Sequence, residues 1–184
     1  MKRILLTIVL STVSVCSSAA AFKLSSPEIK ANGSIPQSFE FNGFGCSGLN
    51  KSPALKWSGA PKDTKSFAVT VYDPDAPTGS GWWHWMVINI PANVQELAAG
   101  AGDAHGTSLP AGAVQARIDY GFAAWGGTCP PKGDKPHRYI FTVYALKTDK
   151  LEVPEDATAA LTGYMIKGNA IGKASFTARY GRAK

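Results

Sequence analysis

Long apolar runs are scarce in this chain; the one that stands out, Ile4 to Val15, lies at the very start. No H-x-x-x-H or C-x-x-C spacing occurs, so the usual zinc signatures are missing. No G-x-S-x-G elbow is present, which removes the common route to a serine nucleophile. Basic residues outnumber acidic ones, 19 to 13, but they are spread among the acids, with no basic block of the kind that tracks nucleic acid. There is no internal repeat, low-complexity tract or hydrophilic linker. What remains is one domain-sized, mildly basic chain.

The first 21 residues, MKRILLTIVLSTVSVCSSAAA, read as a leader. Lys2 and Arg3 give a positive start, an apolar stretch follows, and Ala19-Ala20-Ala21 fits the small-x-small cleavage pattern of a signal peptide, with cleavage after Ala21. A lipoprotein reading at Cys16 is poor, because Val15 occupies a position that wants a small residue. An uncleaved anchor is disfavoured as well, since the run is short of the ~20 residues that a span needs. Cleavage would leave residues 22–184, 163 in number, and the loss of Lys2 and Arg3 would lower the formal charge from +6 to +4. The expected location is periplasmic, with release outside the cell also open and no transmembrane segment in the mature chain.

Of three cysteines, Cys16 leaves with the leader. Cys46 and Cys129 would then share an oxidising compartment, where pairing is the commoner fate. The alternative is two buried thiols.

Most apolar segments are short and β-rich. SFAVTVY (66–72) alternates Phe67, Val69 and Val71 with Ala68, Thr70 and Tyr72; HWMVINI (84–90) and RYIFTVYAL (138–146) share its aromatic and β-branched character. FKLSS, SFEFN, ALKW, QARID and SFTARY are shorter candidates. The alanine-rich run 155–172 predicts a helix capped by Asp156, with Leu161, Met165 and Ile171 on one face, weakened by Gly163 and Gly168 at roughly 1 kcal/mol each. The expected class is α+β, mainly β: a β-sandwich with a C-terminal helix followed by a short strand.

Three long loops separate these elements: NGFGCSGLNKSP (42–53), DPDAPTGSGWW (73–83) and DYGFAAWGGTCPPKGDKPH (119–137). Function concentrates on such loops when rigid strands hold them. Pro74 and Pro77 stiffen the turn that carries Asp73 and Asp75. Equally, Asp-Pro segments make ordinary structural turns. His84 and His137 each follow a loop and open a strand. If those strands were neighbours, Asp73, His84, His137 and Tyr139 would share one concavity at a sheet edge.

The blocks DPDAP, HW and GTCPPKGDKPHRY, in that order, resemble the phosphatidylethanolamine-binding family, also known as Raf kinase inhibitor-like proteins. CSGLNKSPALKWSGAP (46–61) and the closing RYGR resemble its bacterial, exported type. The resemblance spans most of residues 22–184 and implies that fold. It also implies a non-catalytic protein with a pocket for a small anion or a phosphoethanolamine-like headgroup, and no cofactor. Carried over, Asp73, His84, Pro130, Pro131, His137 and Tyr139 match the pocket lining, while Gly127 and Cys129 fall where the loop offers backbone to the ligand. Asp75, Pro77 and Arg138 would support the turn, Arg138 facing away from His137. Cys129 stands where mammalian relatives have glycine, and the C-terminal helix that narrows the eukaryotic pocket is missing, which implies a more open one.

Three other readings stay open. Asp73 and Asp75 could act as acid and base in a hydrolase, though two carboxylates on one stiff turn would not flank a scissile bond. His84, His137 and an aspartate could hold a metal. A protein partner, or a second copy of the chain, could dock on a rim of Trp82, Trp83, Trp85 and Trp125, at least two of which should be core.

Overall fold

The computed structural model describes residues 21–184. The expectations for residues 1–20, Cys16 included, lie outside the described residues. The elements run β1 (Lys23–Ser25), β2 (Asn42–Gly43), β3 (Cys46–Ser47), β4 (Leu55–Ser58), β5 (Ser66–Asp73), β6 (Trp82–Pro91), β7 (Glu96–Leu97), β8 (Val114–Gln115), β9 (His137–Leu146), α1 (Ala159–Asn169) and β10 (Ala170–Tyr180).

Five strands form the main sheet in the order β10-β9-β5-β6-β8, all antiparallel. A three-stranded sheet, β1-β4-β7, packs on one face, and neither sheet closes. The large side chains of β5 explain which face. Phe67, Val69 and Val71 point into a core shared with Leu24, Leu55, Trp57 and Leu97 of the small sheet. Each such buried side chain contributes ~1.5–3 kcal/mol. The alternate residue Ala68 points the other way, toward Ile166 and Ala159 of α1. The alternation seen in the sequence therefore sorts residues between two covered faces, not between core and water.

The helix differs from its prediction in three respects. Thr158, not Asp156, caps it, its hydroxyl accepting the Leu161 N–H at 3.1 Å. Its buried face is Ala159, Thr162, Gly163 and Ile166, whereas Leu161 is 41% exposed and Ile171 already belongs to β10. Gly163 has a packing reason, since a Cβ there would stand 3.2 Å from the Trp83 ring. The final strand is eleven residues long, not short, because it pairs with β9 from Ala170 to Tyr180. SFEFN becomes a 3-10 turn over Gln37–Phe39 before β2, and of QARID only Gln115 is in a strand.

Candidate functional site

Antiparallel pairing brings the end of β5 beside the beginnings of β6 and β9. The two histidine strands are not neighbours, as the concavity argument had supposed; β5 lies between them and places Asp73 at its end. A β-bulge then re-aims His84. Val71 pairs with Trp85 and Tyr72 with Trp83, so His84 is the extra residue on β6. Such a bulge switches which face successive side chains take. Trp85 enters the core beneath the small sheet, Trp83 packs toward α1, and His84 turns into a cavity at the sheet end.

That cavity measures about 210 Å³ and is lined by Asp73, His84, Cys129, Pro130, Pro131, His137 and Tyr139 of the expected set. Pro77 lines it too, beyond its expected supporting role. Phe44, Ala76, Thr78, Trp82 and Tyr120 complete the wall. Of these, only Trp82 had been singled out in the sequence, and then as a rim anchor. Phe44 carried a weak signal, a bulky apolar residue between Gly43 and Gly45; Tyr120 carried none. The volume holds roughly seven waters at ~30 Å³ each and falls below the ~300 Å³ typical of drug-sized sites.

Gly127 does not line the cavity. Its N–H donates to Asn50 Oδ1 at 2.8 Å, and its carbonyl accepts from the Tyr120 hydroxyl at 3.0 Å. Glycine is needed there because a Cβ would meet the Phe39 carbonyl oxygen at 2.3 Å. The neighbouring loop amide of Gly126 is also used, donating to the His84 carbonyl.

At the cavity floor Asp73 is 2% exposed and His137 4% exposed. His137 Nδ1–H donates to Asp73 Oδ2 at 2.8 Å, and Asp73 Oδ1 accepts the Asp75 N–H at 2.8 Å. On its other side His137 Nε2 lies 3.5 Å from Asp134 Oδ2. His84 Nδ1 sits 2.7 Å from the Gly126 carbonyl oxygen and 3.1 Å from that of Gly127. Carbonyls only accept, so Nδ1 carries the proton and Nε2 is left with its lone pair. Burial pushes the His84 pKa down, which keeps the ring neutral. His84 thus presents an acceptor to the cavity.

Two lining residues hold buried donors without a protein partner among the described residues: the Tyr139 hydroxyl and Trp82 Nε1. The Cys129 amide faces the Tyr139 hydroxyl without completing a hydrogen bond. Burial holds the Tyr139 phenol far above its ordinary pKa, so it stays protonated.

Cys46 and Cys129 form a disulfide that fastens the β2–β3 hairpin, with Phe44 at its tip, to the Cys129–Pro131 wall. Arg182 reinforces this wall from behind, donating to the Gly45 and Pro130 carbonyls. Trp85 and Trp125 are core, while Trp82 and Trp83 are half-buried. The aromatic side chains that protrude at the rim are Phe44, 77% exposed, and Phe122, 37% exposed.

Asp75 points away from the cavity and grips Arg138, whose Nη2 is 2.6 Å from Oδ1 and whose backbone N–H donates to Oδ2 at 2.8 Å. The Arg138 hydrogen bonds hold the Asp75 carboxyl at about 2, down from 3.8. A depressed carboxyl adds stability above its unfolded value and loses it as pH falls through the folded one. Carboxyl NMR should find Asp75 titrating near 2, and an Arg138→Gln variant should return it toward 3.8; an unchanged titration would remove the pairing.

Against known proteins, residues 25–181 match the family model described as phosphatidylethanolamine-binding protein. The chain is 56% identical to the protein YbcL of Escherichia coli K12 over 180 residues, covering 98% of each chain. It is 45% identical to YbhB of the same organism over 158 residues, 86% of this chain and 99% of that one. The crystal structure of E. coli YbcL, described as a new member of the mammalian PEBP family, superposes with a TM-score of 0.86 at 58% identity, covering 88% of this chain and 99% of the other.

Proposed function

The chain belongs to the phosphatidylethanolamine-binding protein family, and on that footing we propose that its cavity holds a small phosphorylated headgroup, phosphoethanolamine-like, without turning it over. The observation that carries this is the pair of orphaned donors, Tyr139 Oη and Trp82 Nε1, on the wall of a cavity floored by the Asp73–His137 pair. A buried donor without a partner is costly, and a ligand oxygen relieves that cost. A zwitterion suits the mixed floor: its phosphate meets the donors and its ammonium offsets Asp73. Cys129, tied up in the disulfide, offers no nucleophile. The family is one of binding proteins, which agrees with this reading.

The leader-like first residues and the disulfide support export to an oxidising compartment. A second reading, a periplasmic or released modulator of a protein partner, is favoured by the exposed rim of Phe44 and Leu49, 77% and 76% exposed. The two separate by variant: Phe44→Ser would harm a partner surface more than the cavity floor.

Tyr139→Phe tests the first reading cleanly. The hydroxyl has no protein partner, so its loss should leave folding stability unchanged or slightly raised. Phosphoethanolamine affinity by calorimetry should fall by roughly tenfold or more, the worth of a hydrogen bond to a charged group. Unchanged affinity would take Tyr139 out of the site.

A further inference from the structure

We propose that the cavity selects a ligand that hands a hydrogen bond to His84 Nε2: a phosphomonoester in its singly protonated form, preferred over a phosphodiester or a sulfate ester of the same shape. This deepens, and rests on, the reading that the cavity holds a phosphorylated headgroup.

His84 is fixed by its backbone surroundings. The bulge turns its side chain into the cavity, and two backbone carbonyls at 2.7 and 3.1 Å hold the Nδ1 proton in place. The ring cannot flip its tautomer without setting a lone pair against both carbonyl oxygens. Nε2 has no protein partner among the described residues, and it can only accept unless the ring takes a second proton, which burial opposes. Asp73, beside it, is a second acceptor. Tyr139, whose ring packs edge-on against His84 with 5.1 Å between centroids, and Trp82, another lining residue, carry the unpartnered donors. A ligand that only accepts would satisfy the donors and set an oxygen lone pair against the lone pair of Nε2. A monoprotonated phosphate has both kinds of atom on one centre: oxygens to accept, and one P–OH to donate. Phosphodiesters and sulfate esters lack that hydroxyl, and the phosphomonoester dianion has lost it.

The groups that face His84 are Asp73 from β5, His137 and Tyr139 from β9, and Tyr120 from the 119–137 loop, with Asp134 beyond His137. Burial keeps both phenols protonated at neutral pH. Any change in the charge of these groups acts on every anionic ester alike, so comparing the esters at one pH leaves the ligand proton as the variable.

Calorimetry on the mature, disulfide-intact protein with phosphoethanolamine, ethanolamine O-sulfate and the methyl phosphodiester of phosphoethanolamine provides the test. At about pH 5.5, where a phosphomonoester with its second pKa near 6 is mostly monoanionic, phosphoethanolamine should bind at least tenfold tighter than either proton-free ester. At about pH 8 that advantage should collapse. A ratio below tenfold at the lower pH, or one that grows at the higher, overturns the inference while leaving a headgroup site intact. Failure of all three ligands to bind overturns both.

Discussion

Asp73→Ala should cost about 2–6 kcal/mol of folding stability in a denaturant titration, ~1–3 for each of the two buried donors it leaves without an acceptor. The expectation follows from what the carboxylate holds. Its two oxygens accept from His137 Nδ1 and the Asp75 amide, both at 2.8 Å, in a place where Asp73 is 2% exposed. Truncation strands both donors away from water. It also releases the turn at Asp75 and the ring of His137, so phosphoethanolamine binding should vanish with it. Asp73→Asn keeps the turn, because its carbonyl oxygen still accepts from Asp75, and should cost less. A loss under 1 kcal/mol in the alanine variant would show the pair to be incidental.

Removing the disulfide should have an effect of similar size by another route. Cys46 and Cys129 lie 83 residues apart. Chain-entropy arithmetic for a loop of that length gives about 4.5 kcal/mol as the stabilisation at stake. For a chain of this size, that corresponds to a fall in Tm of roughly 9–18 °C in the Cys46→Ala, Cys129→Ala double variant. A local consequence accompanies the global one. The bridge and Arg182 together hold the Phe44 hairpin against the Pro130–Pro131 wall, so the variant should bind headgroup more weakly even at temperatures where it is fully folded. Scanning calorimetry and titration on the same sample separate the two effects; a Tm within 2 °C of the parent would contradict the first.

Much of this was legible from the chain. The three long strands showed because β-branched and aromatic residues alternate with smaller ones over seven or more positions. The cavity lining showed because its residues stand in three separated motifs, each at a loop-to-strand junction. Other features depend on pairing partners that local pattern does not reveal. The strand between the histidines is one; the bulge that aims His84 is another, because it appears only when Tyr72 and Val71 are matched with Trp83 and Trp85. The tautomer of His84 depends on carbonyls more than forty residues away. Gly127 was assigned by motif position, and its tight approach to Phe39 became visible only in three dimensions. The helix cap moved from Asp156 to Thr158, a choice between two competent residues that composition alone does not decide.

What occupies the cavity is read most directly from a crystal of the protein soaked with phosphoethanolamine. The phosphate should sit over the His84 and Tyr139 side chains, with oxygens within about 2.6–3.2 Å of His84 Nε2, Tyr139 Oη and Trp82 Nε1. Headgroup density seated elsewhere, with only solvent beside His84, would refute the assignment.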